Sequence, residues 1–137
     1  MDASRMLEIA HRHVQAEAEG NLEATLATLV AEPEYTFYPA ARRFRGMACA
    51  RRFYSQFFAQ VQPCIENYAL LGEWAGGPGV IQEVTLWLRE PVGGRREHRI
   101  LAILTFDADG MTGERLYASD ALLRFFAGPL WDELEEL

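Results

Sequence analysis

The chain has 137 residues, half of them hydrophobic, and a formal net charge of −7. This length is most simply one domain covering 1–137, and the apolar content suffices for a folded core, which argues against intrinsic disorder. The negative charge disfavours nucleic acid and anionic membrane surfaces as partners, because both attract cationic proteins.

No apolar run approaches the roughly 20 residues that span a bilayer, and the first residues lack the apolar segment of a secretory signal. Cys49 and Cys64 are the only cysteines, and their spacing implies no disulfide framework. We therefore expect a cytoplasmic protein. Every basic residue apart from histidine is arginine, a bias typical of a GC-rich, presumed bacterial, genome. This composition excludes lysine-dependent chemistry such as Schiff-base formation.

Helical patterns dominate the first half of the chain. An apolar stripe at three- to four-residue spacing predicts a helix from Ala3 to Glu19 that ends at Gly20. Asn21 is a good N-cap for a second helix, whose apolar stripe would continue to Val30 and stop at Pro33.

A short strand is predicted over Glu34–Pro39, which is rich in aromatic and β-branched residues. An arginine-rich connection, Ala40–Gly46, follows it. A third helix is then predicted over Met47–Gln62 and stopped by Pro63. Its many aromatic side chains suit a central packing helix.

Five arginines crowd the stretch from the connection into the third helix: Arg42, Arg43, Arg45, Arg51 and Arg52. Two interpretations are open. The arginines form a solvated face with ion pairs to acidic residues, or they form the rim of an anion-binding site.

Strands and turns fill most of the second half. Strands are predicted over Cys64–Trp74, Val80–Arg89, Arg96–Phe106 and Thr112–Ser119. The turns between them are predicted at Gly76–Gly79, around Pro91–Gly94, and at Asp107–Gly110. Leu122–Ala127 is a short helical turn or a strand edge, and Pro129–Leu137 is an acidic, weakly amphipathic tail.

Helices followed by four strands with short connections indicate an α+β fold with an antiparallel meander. Such a sheet can curl around a helix and leave a pocket at its open end. Ile100–Leu104 is apolar on both strand faces, although a sheet with one wet face should alternate. We therefore predict a homodimer that packs through the sheet.

Three segments resemble the SnoaL-like branch of the NTF2-like superfamily, which includes ketosteroid isomerases, polyketide cyclases and limonene epoxide hydrolases. They are GNLEATLATLVAEPEYTFYPA at Gly20–Ala40, FRGMACARRFYSQFF at Phe44–Phe58, and GERLYAS with LLRFFAG within Gly113–Gly128. The resemblance implies an NTF2-like cone with N-terminal helices packed in a curved antiparallel sheet, a deep apolar pocket and frequent dimers. Fold alone does not give function.

The resemblance also suggests positions for site residues. His13 falls where ketosteroid isomerases have the tyrosine that stabilises an oxyanion, and Tyr38 falls where they have the aspartate base. A phenol with a pKa of about 10 is a poor base at neutral pH. Polyketide cyclases carry an aspartate two residues after the tyrosine of the last strand. Here that tyrosine is Tyr117, and Asp120 comes one place late, which can put it on the other face.

Residue patterns suggest further candidates. Glu83 and Trp87 share one strand face, and a carboxylate in an apolar pocket has a raised pKa suited to acid or base catalysis. The alternative is an exposed glutamate paired with an arginine. His98 shares a face with apolar residues and could transfer protons, or it is simply a hydrogen-bonded histidine near a strand end.

We expect no metal site and no cofactor. His11 and His13 are two residues apart on a helix, so they point to different sides and cannot bind one zinc ion together. The aromatic residues that could line a cavity for a flat ligand, or could be plain core, are Tyr38, Tyr54, Tyr68, Trp87 and Tyr117.

Three functional hypotheses remain open. The first is a cofactor-free isomerase, cyclase or hydratase-like enzyme acting on a small apolar carbonyl compound. Its catalytic groups would be Glu83, His98 and His13, with Tyr38, Tyr54, Trp87, Tyr117 and Asp120 contacting the substrate. The second is a non-catalytic pocket for a hydrophobic metabolite. The third is a dimeric adaptor module.

Overall fold

The computed structural model describes residues 1–90 and 93–137. The four α-helices are α1 (Ala3–Ala18), α2 (Leu22–Ala27), α3 (Met47–Gln56) and α4 (Asp120–Ala127). The strands are β1 (Leu29–Tyr38), β2 (Arg42–Arg45), β3 (Ile65–Gly76), β4 (Gly79–Glu90), β5 (Gly94–Asp107), β6 (Gly110–Tyr117) and β7 (Glu135–Glu136).

The two N-terminal helices begin at side-chain caps. Asp2 accepts a hydrogen bond from the backbone N–H of Arg5 at 2.8 Å, and Asn21 accepts one from that of Ala24 at 3.0 Å. Such caps satisfy amide groups that the first helical turn leaves unpaired. The buried face of α1 carries Met6, Ile9, Ala10, His13 and Ala16. His13 is the one polar residue on this face, and it is buried with its apolar neighbours.

The strands form a single sheet in the order β3-β4-β5-β6-β1-β2-β7. The neighbours β3 to β6 pair antiparallel, which confirms the predicted meander. β1 pairs parallel with β6, so the sheet is mixed. The sheet is curved and unclosed, as in the NTF2-like cone, and the α+β prediction is confirmed.

The structure corrects the prediction between the second helix and the third. α2 ends at Ala27, and Val30 belongs to β1, which begins earlier than predicted. Pro33 lies where the pairing of β1 with β6 is irregular, a place where a strand tolerates proline. The predicted connection contains β2, which pairs antiparallel with β1 and places Phe44 in the core.

The third helix is also shorter than predicted. α3 ends at Gln56, a π-helical turn covers Phe57–Val61, and a 3₁₀ turn covers Gln62–Cys64. The turn predicted around Pro91–Gly94 includes Pro91 and Val92, which lie outside the described residues.

The C-terminal segment is part of the fold and not a tail. Ser119 accepts a hydrogen bond from the N–H of Leu122 at 3.2 Å and so caps α4. A 3₁₀ turn at Gly128–Glu133 follows, and β7 pairs with β2. Three apolar side chains of this segment, Leu130, Trp131 and Leu134, are buried. Their burial secures the segment although its charged residues dominate the sequence.

The sheet has an inner face, covered by α1 and α3, and an outer face. On β4, Val80, Gln82, Val84, Leu86 and Leu88 are all buried. The alternate positions of the same strand include the partly exposed Ile81, Glu83 and Trp87. Since alternate residues of a strand point to opposite faces, the first set marks the inner face and the second the outer face.

Most of the crowded arginines form ion pairs with glutamates. Arg43 and Arg45 contact Glu135, Arg51 contacts Glu23, and Arg52 contacts Glu133, while Arg42 lies over the Trp131 ring. These contacts favour the solvated, ion-paired interpretation over an anion-binding rim. Among the described residues, no helix is long and apolar enough to cross a membrane.

Candidate functional site

A cavity of about 460 Å³ lies between the inner face of the sheet and the helices. Its walls are largely apolar, and its polar lining groups are concentrated on α1, α3, β4 and β6. The half-exposed Tyr68 belongs to its wall as well. The lining residues that matter below are Glu17, Phe53, Tyr54, Phe57, Gln82, Glu114 and Phe126.

Buried His13 uses both ring nitrogens behind this cavity. Its Nδ1 lies 2.7 Å from the hydroxyl oxygen of Thr28, which donates its own hydrogen to the carbonyl of Thr25 at 2.6 Å. The Thr28 oxygen must therefore accept, so Nδ1 of His13 carries a hydrogen. Nε2 donates to the hydroxyl oxygen of Tyr54 at 3.0 Å and forms an ion pair with Oε1 of Glu17 at 2.9 Å.

Two carboxylates approach the same imidazole edge. Glu17 follows His13 by four residues on α1 and therefore lies on the same helix face. Glu114 comes from β6, and its Oε2 is 3.4 Å from Nε2 of His13. Both carboxylates line the cavity, whereas His13 is not among its lining residues.

Two tyrosines extend the cluster. The hydroxyl of Tyr54 donates to Oε2 of Glu114 at 3.1 Å. Because that hydrogen is committed, the contact of 2.6 Å between the hydroxyls of Tyr35 and Tyr54 has Tyr35 as donor. The oxygen of Tyr54 is also 3.0 Å from Nε2 of His13. We call His13, Glu17, Tyr35, Tyr54 and Glu114 the acid–base cluster.

Burial and neighbouring charges shift the pKa values in opposite directions. Burial alone would lower the pKa of His13, but the charge of Glu17 and the interactions of the imidazolium with the accepting carboxylates of Glu114 and Glu17 outweigh burial and raise that pKa to about 10. His13 is therefore an imidazolium at neutral pH, which agrees with hydrogens on both nitrogens. Burial, opposed by His13 and reinforced by the charge of Glu114, raises the pKa of Glu17. Burial also raises the pKa values of Tyr35 and Tyr54 well above 10.

The cluster contains the donor types that bind divalent cations. Nε2 of His13 and carboxylate oxygens of Glu17 and Glu114 lie within 4.8 Å of one another. A cation there would have to displace the proton of Nε2, because a metal-bound imidazole nitrogen carries none. The spacing of the histidines in the sequence does not reveal this arrangement of one histidine with two carboxylates.

A second polar chain reaches the cavity from the surface. His11 contacts Oε1 of Glu73 at 2.7 Å, and Oε2 of Glu73 accepts from Nε2 of Gln82 at 2.8 Å. Since a carboxylate only accepts hydrogen bonds, the amide nitrogen of Gln82 must face Glu73. Its oxygen, Oε1, is left on the cavity side.

The structure brings some of the sequence-predicted site residues together. His13 and Tyr54 both belong to the acid–base cluster, and Tyr68 lines the cavity with Tyr54. The family resemblance suggested an oxyanion-stabilising role for His13, which in this structure contacts the carboxylates of Glu17 and Glu114.

The prediction that Glu83 and Trp87 face the pocket is wrong. Both lie on the outer face, where Glu83 pairs with Arg99 at 3.2 Å and Trp87 packs under the guanidinium of Arg95. The inner face of β4 is the more apolar of its two faces. The cavity uses that same apolar face, with Gln82 as its polar group.

Four other candidates also lie away from the cavity lining. His98 contacts Oε1 of Glu90 at 2.9 Å. Tyr38 and Tyr117 stack on each other with ring centroids 4.8 Å apart, and Tyr117 is 39% exposed. Asp120 begins α4 and pairs with Arg124 at 2.6 Å. Glu83 and His98 therefore do not join His13 at the cavity, and the predicted catalytic set of Glu83, His98 and His13 is not assembled.

Glu17, Gln82 and Glu114 are site residues that sequence analysis missed. A detectable signal existed for two of them. The four-residue spacing of His13 and Glu17 places both on one helix face, and Gln82 is the single polar residue on an otherwise apolar strand face. Glu114 beside Gly113 carries no comparable signal in the sequence.

No family model matches the sequence, and no curated protein matches it. Many solved structures do match. An NTF2-like protein from Burkholderia xenovorans has a TM-score of 0.69 at 17% identity, covering 93% of this chain and 99% of that one. An NTF2-like protein of unknown function from Cytophaga hutchinsonii has a TM-score of 0.68 at 13% identity, covering 83% and 99%.

A third match is a protein with a ketosteroid isomerase-like fold from Catenulispora acidiphila, in complex with trimethylamine. Its TM-score is 0.65 at 16% identity, with 88% of this chain and 92% of that chain covered. The chain therefore has the NTF2-like fold that its sequence predicted.

Proposed function

We propose that this protein binds a small, mostly apolar molecule in the cavity and transfers a proton on it, with Glu17 as the general base. The observation that carries the proposal is the buried acid–base cluster beside an apolar cavity. Burying an imidazolium and two carboxylates is costly unless they are paired. Shifted pKa values in a cleft are typical of functional sites.

The roles follow from the contacts. Glu17 lines the cavity, and its raised pKa makes it a stronger base than an ordinary carboxylate. His13 holds one oxygen of Glu17 at 2.9 Å and leaves the other available. Glu114 is held by Tyr54 and balances the charge of His13. Tyr35 begins this series of hydrogen bonds and orients the hydroxyl of Tyr54 by donating to it.

The sequence resemblance supports an apolar carbonyl compound as the substrate and membership of the SnoaL-like branch. A carbonyl group acidifies the neighbouring C–H bond, so Glu17 would take that proton and return it to the same or another carbon. The trimethylamine complex of the Catenulispora acidiphila protein supports small-molecule binding by a protein of this fold. We continue to expect a cytoplasmic protein.

Proton exchange tests the proposal directly. The purified protein is incubated in D₂O with a panel of one- to three-ring ketones, and loss of the α-proton signal is followed by NMR. We expect exchange above the buffer rate, reduced at least about 100-fold in Glu17→Gln. The control is Glu83→Gln, which makes the same change on the outer face and should leave exchange unaltered.

Two outcomes would contradict the enzymatic proposal. Exchange that survives Glu17→Gln but not Glu83→Gln would return the catalytic role to the outer face. Ketone binding seen by ligand-observed NMR without exchange would leave a non-catalytic binding module for a hydrophobic metabolite.

The homodimer is a further part of the proposal. Apolar side chains on the outer face remain exposed in one chain, among them Ile81, Leu101 and Tyr117. A second copy of the chain would cover them, so that two cavities open away from a shared sheet interface.

A further inference from the structure

The polar groups that face the cavity are mainly acceptors. Among the described residues, Glu17 and Glu114 present carboxylate oxygens and Gln82 presents its amide oxygen. The donor of Tyr54 is committed to Glu114, and the side-chain nitrogen of Gln62 is committed to the backbone oxygens of Glu17 and Ala18. Apart from the hydroxyl of the half-exposed Tyr68, which can both donate and accept, these walls require a ligand that supplies hydrogens.

The charges of the cluster point the same way. One imidazolium, His13, faces two carboxylates, Glu17 and Glu114, within 3.4 Å. When both carboxylates are ionised, one negative charge is left without a partner beside an apolar cavity. Such a charge is costly to bury, so it attracts either a proton or a cationic group of the ligand.

The apolar walls suit an organic cation better than a hydrated one. Phe53, Tyr54, Phe57, Tyr68 and Phe126 all line the cavity. Aromatic faces attract ammonium groups through their quadrupole, most strongly where water is excluded. The volume of about 460 Å³ leaves room for an apolar body attached to the charged group.

We infer that the ligand of this cavity carries an amino group on its apolar body, bound as the ammonium ion against Glu17 and Glu114. Gln82 Oε1, on a side chain that is 5% exposed, accepts a hydrogen from a second polar group of the ligand. The inference rests on the proposed function only in that the same cavity is the binding site. It does not require the proton transfer assigned to Glu17.

Ammonium binding and proton binding compete at Glu17. Without a ligand, burial raises the pKa of Glu17, opposed by the charge of His13 and reinforced by the charge of Glu114. The ammonium ion favours the ionised carboxylate, so its binding releases the proton of Glu17. The titratable groups that face Glu17 are His13 on its own helix, Glu114 on β6, Tyr54 on α3, Tyr35 on β1 and Tyr68 on β3. Amine affinity should therefore rise with pH as Glu17 loses its proton.

A matched trio of ligands tests the inference by isothermal titration calorimetry. The probes are 1-adamantylamine, 1-adamantanol and adamantane-1-carboxylate, which share one rigid apolar body and differ in charge. At pH 7 we expect the amine to bind at least tenfold more tightly than the alcohol, and the carboxylate to bind most weakly. From pH 5 to 8 the amine should gain affinity while the alcohol stays constant.

Variants locate the effect. Glu17→Gln should reduce the preference for amine over alcohol to less than threefold, while Glu8→Gln, the same change at an exposed position of α1, should leave it unchanged. If Glu17→Gln does not fold, the ranking of the three probes in the unaltered protein decides. Equal or tighter binding of the alcohol or the carboxylate would overturn the inference and leave the proposed function standing. Failure of all three probes to bind would overturn both.

Discussion

His13 is the residue whose charge state most affects the stability of the site. It is completely buried, its two ring nitrogens donate to the hydroxyls of Thr28 and Tyr54, and Nε2 forms an ion pair with Glu17. The imidazolium keeps Glu17 and Glu114 together, since two carboxylates at this separation would otherwise repel each other. The residue thus links the folding of the protein to the assembly of the site.

Replacing His13 should change how stability depends on pH. Its pKa is raised from 6.5 to about 10 on folding, so its stabilising contribution is complete below pH 6.5 and is lost as the pH rises to 10. We expect the free energy of unfolding to fall across this window by an amount on the order of 4 kcal/mol. His13→Gln should flatten that slope, as measured by urea unfolding at pH 6, 8 and 10.

His11→Gln is the matched control, because His11 lies on the same helix and is exposed. Its slope between pH 6 and 10 should follow that of the unaltered protein. A His13→Gln protein that loses stability with pH as steeply as the unaltered one would show that His13 is neutral in the folded state.

At the level of single residues, sequence reasoning found only part of the site. The sequence patterns identify His13 and Tyr54, but as the acid or base they indicate Glu83 and give no indication of Glu17. Helix periodicity places Glu17 beside His13, whereas the contact of His13 with Glu114 depends on how α1 crosses the sheet. That crossing is a tertiary feature, and nothing local in either segment encodes it.

At the level of elements, the parallel pair of β1 and β6 positions Glu114. Gly113 pairs with Glu34 across this junction. A Cβ at Gly113 would lie 1.8 Å from the backbone oxygen of Glu34, and the φ angle of 144° is also unfavourable for other residues. The two strands can therefore approach closely only because residue 113 has no side chain.

We expect Gly113→Ala to destabilise the protein by at least about 3 kcal/mol in urea unfolding, because backbone atoms must separate to admit the methyl group. Gly77→Ala is the comparison. Gly77 has a φ of 52° but no atom near the added Cβ, so only backbone strain of about 1–2 kcal/mol should appear. Equal losses in the two variants would show that the close approach of β1 and β6 is unimportant.

Elements with strong local patterns were predicted well, and those that depend on distant partners were not. α1 and the meander from β3 to β6 follow from periodicity and turn residues. β2 and β7 are short, charged strands that exist because β1 offers an edge and Trp131 fills the core. The parallel pairing of β1 with β6 joins segments that are far apart in sequence, which local patterns do not report.

At the scale of the whole molecule, the outer face of the sheet explains the apolar run noted in β5. Leu101 lies there between Glu83 of β4 and Tyr117 of β6. Trp74 is 57% exposed on the neighbouring part of the sheet, and Leu101 is 37% exposed. Adjacent apolar side chains of this kind commonly mark an interface with another protein.

The homodimer prediction depends on this face. A two-fold interface brings the same patch of both copies together. A charge introduced at its centre is therefore buried close to the identical charge of the other copy. We expect light scattering with size-exclusion chromatography to show a dimer at micromolar concentration, and Leu101→Glu to convert it to a folded monomer. Leu137→Glu, at an exposed leucine next to the edge strand β7, should remain dimeric. An unaltered chain that runs as a monomer, or a Leu101→Glu protein that stays dimeric, would exclude the sheet interface and leave the apolar outer face for a different protein partner.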